Sequence, residues 1–216
     1  MSGRRPIVLV AALVFALSGC TSTKTGTAAP ASTVSQPAAS PATPASSSSA
    51  APVKVEYTKQ GTKLKIGEKA VVPFKSPVAG PGAIGVTVTG IDKGDAADLT
   101  PLKLGDQAAG MTPYYVRLKV TNESGTDFYS TSVGLMYGLL EDGSKAAFVT
   151  IIGTFEKCDN ARGGQDFSTV GATYDSCVLA LAPEGSTVTG AKYSDTNYVG
   201  LAPDTDYGKA AIVWQP

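Results

Sequence analysis

The chain has 216 residues, with 18 Lys and Arg against 18 Asp and Glu and no histidine. Without histidine it has neither a Ser-His-Asp triad nor a His-ligated metal site, so the commonest general base and the commonest transition-metal ligand are excluded together. All 18 carboxylates but only 15 of the basic residues fall within residues 53–216; that segment, at a net charge of −3, offers no basic surface of the kind that neutralises nucleic-acid phosphates.

The first twenty residues read as an export signal. Arg4 and Arg5 precede an uncharged apolar run from Ile7 to Leu17, followed by Leu17-Ser18-Gly19-Cys20. Eleven helical residues cover about 16 Å, roughly half of a hydrocarbon core, so a permanent membrane span is not expected. The arginine pair fits plain positive charge better than a twin-arginine signal. Leu17-Ser18-Gly19-Cys20 resembles the bacterial lipobox. That resemblance implies cleavage after residue 19 and a diacylglyceryl group on the Cys20 thiol, which would hold the protein durably on the outer side of the cell membrane.

From Thr21 to Pro52 the chain is almost all Thr, Ser, Ala and Pro, with Lys24 its only charge. Such a composition cannot bury enough apolar surface to offset its ordering entropy, so residues 20–52 are expected to form a lipidated, disordered tether. The segment suits O-glycosylation or a bare spacer equally well.

Val53-Lys54-Val55-Glu56-Tyr57 alternates apolar with polar residues, and the alternation marks the start of one domain over 53–216. Strands are predicted at 70–74, 84–89 and 114–121, the last with Tyr114, Val116, Leu118 and Val120 on one face. Asn122 to Gly125 make a turn. Glu141-Asp142-Gly143-Ser144 is read as a hairpin joining the apolar runs 133–140 and 146–152. Further strands are predicted at 177–181, 188–193 and 210–214. Eight or nine short strands point to an all-β antiparallel sandwich.

Several of these segments, including Tyr115-Val116-Arg117-Leu118-Lys119-Val120-Thr121-Asn122, Leu139-Leu140-Glu141-Asp142-Gly143, Pro183-Glu184-Gly185 and Ile212-Val213-Trp214, resemble actinobacterial lipoproteins and small secreted mycobacterial antigens with an immunoglobulin-like extracellular domain. The resemblance implies an immunoglobulin-like sandwich. It carries no catalytic residues across.

Cys158 and Cys177 remain after Cys20 is committed to lipid, and an exported chain keeps disulfides, so a bridge between them is the simplest assignment. The segment between them, with Gly163 and Gly164, is expected to be a mobile loop. Asp92, Asp95 and Asp98 miss the spacing of a calcium loop and read as a solvated turn, whereas Asp204 and Asp206 are better spaced for calcium but lack a third carboxylate nearby. Tyr114, Tyr193 and Trp214 are assigned to the core. No cofactor is expected.

Three functions follow from this reading. The leading one is a non-catalytic surface module binding a protein, an envelope polymer or a small ligand. The second is an envelope carrier or chaperone with an apolar pocket between the sheets. The third is a carboxylate-dependent hydrolase, for which no motif nominates a pair.

Overall fold

A computed structural model describes residues 54–216. The export signal, Cys20 and the tether lie outside the described residues. Nine strands form two sheets: β1 Lys63–Lys65, β2 Lys69–Ser76, β3 Gly80–Lys93, β4 Met111–Asn122, β5 Met136–Leu140, β6 Ala147–Phe148, β7 Thr173–Pro183, β8 Val188–Tyr193 and β9 Ile212–Gln215. One sheet runs β1-β9-β8-β5 and the other β2-β3-β4-β7-β6. The architecture is an all-β, immunoglobulin-like sandwich.

Alternation dictates what fills it. Tyr114, Val116, Leu118 and Val120 of β4 point inward with Ile84, Val86 and Val88 of β3, and meet Met136, Ala191, Tyr193, Ile212 and Trp214 of the facing sheet. Phe128, Phe167 and Tyr207 come from connections and close the same core. Trp214 is fully buried, and its indole N–H donates to the Glu68 carbonyl at 2.8 Å, so its polar edge is satisfied as well as its apolar area.

One strand pair departs from the expected antiparallel plan: β1 and β9 run parallel, with Lys63 opposite Val213 and Leu64 opposite Trp214. A parallel pair needs a long connection, and nearly the whole domain separates these two strands, so no hairpin signal announces it. Nor does the Val53 to Tyr57 alternation become a strand over its described residues. The chain instead touches the β2 edge at one point, where Thr58 N donates to the Val71 carbonyl at 2.8 Å and Val71 N donates to Thr58 Oγ1 at 2.9 Å.

The predicted hairpin is half right. Its turn forms, with Gly143 N donating to the Leu140 carbonyl and Ser144 N to Asp142 Oδ1, but only Leu139 and Lys145 bridge across it. Ala146 then turns into the core, opposite the space left by Gly138, and Ala147–Phe148 pairs with β7 of the other sheet. The remainder of the 146–152 run is not strand. Val149 and Ile151 pack on a second apolar cluster.

That cluster lies on the outer side of the five-stranded sheet. Tyr115 of β4 and Cys177, Leu179 and Leu181 of β7 point outward there and are covered by Leu99, Phe155 and Cys158. The cover is built from the β3–β4 connection, which contains two 3-10 turns at Ala96–Leu102 and Gly105–Ala108, and from residues 149–158. An uninterrupted apolar run such as Cys177 to Leu181 is the pattern of a strand buried on both faces.

Candidate binding surface

The two sheets treat their outer faces differently. On the five-stranded side, Asp95 caps the first 3-10 turn by accepting from Ala97 N at 2.8 Å, and Asp98 Oδ2 accepts from Asp95 N at 3.1 Å. The same Asp98 Oδ2 accepts from the Tyr115 hydroxyl at 2.8 Å, while Lys157 Nζ lies 3.6 Å from Oδ1. The Asp95 backbone bond and the Tyr115 hydroxyl hold the Asp98 carboxyl below its ordinary range, and burial beside Asp98 keeps the Tyr115 phenol protonated. Arg117 reaches Asp92 at 2.9 Å through Nε and the Lys157 carbonyl at 2.8 Å through Nη1. Asp98 thus ties the cover to the sheet through Tyr115, and Asp92 holds Arg117, which reaches the Lys157 carbonyl; Asp95 caps the turn, and Asp92 and Asp95 are exposed as a solvated turn requires.

The disulfide between Cys158 and Cys177 pins the same cover to β7. The segment that follows is docked, which corrects the expectation of a mobile loop. Ser130 N donates to the Gly163 carbonyl at 2.8 Å, Gly163 N donates to the Thr131 carbonyl at 3.0 Å, and Phe167 is buried in the main core. A Cβ at Gly163 would fall 2.6 Å from the Phe167 ring and 2.9 Å from the Phe128 carbonyl, so only glycine lets the backbones approach this closely. Phe167 is the residue that anchors the loop, and its position three residues beyond Gly164 was its only sequence trace.

Across the four-stranded sheet the register gives a different surface. Leu64, Trp214, Ala191 and Tyr193 face the core, so Lys63, Lys65, Val213, Gln215 and Lys192 face outward. Pairing sets Lys63 beside Val213, Val213 beside Lys192, and Lys192 beside Tyr137, one outward residue from each of the four strands. Lys145 stacks its ammonium 4.0 Å from the centre of the Tyr137 ring, and Tyr137 meets Phe148 edge to face at 5.4 Å. Lys63, Lys65 and Lys145 are exposed and Lys192 is half-buried. Sequence reasoning passed over this group because β1 was not anticipated. The alternation of Lys63-Leu64-Lys65 and of Ala191-Lys192-Tyr193 was the available signal.

Of the basic residues in the five-stranded sheet and its cover, four are ion-paired, while Lys75, Lys93 and Lys103 make no salt bridge among the described residues. Lys69, Arg117, Lys119 and Lys157 meet Glu123, Asp92, Asp175 and Asp98 at 2.6, 2.9, 3.0 and 3.6 Å. Lys63, Lys65, Lys145 and Lys192 make no salt bridge among the described residues. None of the four strands of their sheet contains an acidic residue.

Other expected sites resolve simply. Tyr114, Tyr193 and Trp214 are core residues, and burial pushes the Tyr193 phenol well above its ordinary value. Asp206 Oδ1 accepts from Lys209 N at 3.1 Å, and among the described residues Asp204 and Asp206 join no group of three acidic, cysteine or histidine side chains. A cleft of about 170 Å³ opens between the edges of the sheets, lined by Val133, Tyr137, Phe148 and Leu179. That is smaller than the several hundred Å³ of an ordinary small-molecule site.

No protein-family model matches the chain, and no curated protein matches it. Among solved structures it is similar to MPT63, a secreted protein from Mycobacterium tuberculosis, at 14% identity, over 71% of this chain and 96% of that one, with a TM-score of 0.45. The sandwich assignment rests on the strand pairing itself. No helix among the described residues is long and apolar enough to cross a membrane.

Proposed function

We propose that this chain is a lipid-anchored, extracytoplasmic binding module that meets its partner through the exposed face of the four-stranded sheet and carries out no reaction of its own. One observation carries the reading: the protein covers the outer face of the five-stranded sheet around Tyr115 and Cys177 to Leu181 with its own loops, and leaves Lys63, Lys65 and Gln215 of the other sheet exposed. Here three lysines, an aromatic pair and Val213 stand in one band, their charges without partners in the fold. The anchor assigned to Cys20 rests on the lipobox pattern alone.

The experiment has two arms. Cys20→Ala should move the protein from the membrane fraction to the medium or the soluble envelope fraction, and retention after a salt wash would remove the anchor from the account. A photo-reactive residue at Val213 should cross-link to an envelope component in intact cells, whereas the same residue at Lys119, exposed on the outer face of the five-stranded sheet, should not. Cross-links from Lys119 alone would overturn the assignment of the face.

A further inference from the structure

We propose that the open face of the four-stranded sheet binds a linear, acidic envelope polysaccharide, one bearing carboxylate or phosphate groups along its length. The proposal rests on the reading of that face as the binding surface and deepens it by naming the partner's chemistry.

The first argument is charge. The domain is net negative, yet no acidic residue occurs in the four strands of this sheet, and four lysines gather on or beside its outer side. Neither Glu68, which accepts from the Lys65 backbone N–H at 2.7 Å, nor Asp142, which accepts from that of Ser144 at 2.8 Å, is ion-paired with these lysines. An anionic partner therefore meets ammonium groups that the fold has not neutralised.

Spacing supplies the second argument. Lys63 and Lys192 flank β9, two strands apart, so their stems rise about 10 Å from each other. Lys145 stands beyond, over Tyr137, which extends the array by about another strand spacing. The band is a line across the strands, and the cleft beside Tyr137 and Phe148 at its end holds only about 170 Å³. A compact anion would touch one ammonium at a time, whereas a chain with repeated anionic groups touches them in series. Lysine suits this use, being a flexible point charge rather than the planar fork that selects a single oxyanion geometry.

Aromatic area makes the third. Phe148 is 52% exposed at the end of the lysine line, beside Tyr137, and offers an apolar surface to the face of a sugar ring. A bilayer of phosphatidylglycerol presents charge but no such ring. The sequence also sets 32 residues between Cys20 and residue 53, enough chain to carry the face well beyond the screening length of about 8 Å from the anchoring membrane.

The test uses the full-length chain in a neutral detergent. Immobilised polygalacturonate is the probe, dextran the uncharged polymer, and phosphatidylglycerol vesicles the bilayer. Polygalacturonate should retain the protein at low salt and release it as salt rises. Lys63→Gln, Lys192→Gln and Lys145→Gln should each weaken retention about fivefold with melting curves unchanged, while Lys69→Gln and Lys119→Gln stay within about twofold of the parent. Equal losses in both sets, or equal retention on dextran, would overturn the proposal. So would capture by the vesicles without capture by the polymer, which would assign the face to a bilayer. A protein cross-linked through Val213 in cells, with no retention on polygalacturonate, would leave the face as a binding surface and reject the polysaccharide.

Discussion

At the scale of single residues, Tyr115 makes one hydroxyl hold two layers together. Its ring belongs to β4 and its oxygen reaches Asp98 on the covering turn, so Tyr115→Phe should keep the packing and lose the tie. The expected drop in melting temperature is about 2–4 °C, as for one net hydrogen bond in a domain of this size. Its pH dependence has a definite sign. Asp98 is held below its ordinary range when folded, so the stability it contributes is present above the carboxylate's unfolded value near 4 and is lost as pH falls below it. Melting curves of parent and variant should therefore converge in acid, and a gap that widened there would refute the tie. Trp214→Ala is a larger loss, about 3–5 kcal/mol, because it empties the centre of the core and orphans the Glu68 carbonyl. Chemical denaturation measures it.

Among elements, the strands that pack by simple alternation were legible and the non-local ones were not. The face formed by Tyr114, Val116, Leu118 and Val120 follows directly from period two, and the 188–193 strand has the expected bounds. The failed half of the hairpin shows the limit: an apolar run after a good turn reads the same whether it stays in its sheet or crosses to the other. Ala146 decides between them by entering the core, which is a packing fact with no periodic signature. The 159–167 segment was misjudged for a related reason, since its glycines signal turns while Phe167 supplies the anchor. Gly163→Ala should cost about 1–3 kcal/mol by forcing Phe167 and the Phe128 carbonyl apart, whereas the Cβ of Gly164→Ala meets only the mobile end of Asp166 and should be tolerated. Equal melting temperatures for the two variants would show that the loop is not docked. Replacing Cys158 and Cys177 together by serine should remove about 3 kcal/mol, the chain-entropy value for a loop closed over a separation of 19 residues, with the far-ultraviolet spectrum of the sheets retained.

For the whole molecule, the informative feature is asymmetry. A sandwich of this size has two outer faces, and the chain spends its β3–β4 connection, residues 149–158, its disulfide and four charge pairs on one of them. What remains open is a band whose members come from sequence positions as distant as Lys63, Tyr137, Lys192 and Val213, brought together by a parallel pairing that no local pattern announces. This is why the candidate surface was the least legible part of the sequence, although its lysines stood in plain alternation. The export signal and Cys20 are the reverse case, legible as a motif and outside the described residues. Amine-reactive footprinting of the same chain on intact cells and after purification compares both faces in one experiment. The account predicts that Lys63, Lys65, Lys145 and Lys192 react more slowly on cells than in the purified protein while Lys119 and Lys157 react alike in both, and equal reactivity at all six, or protection confined to Lys119 and Lys157, would contradict it.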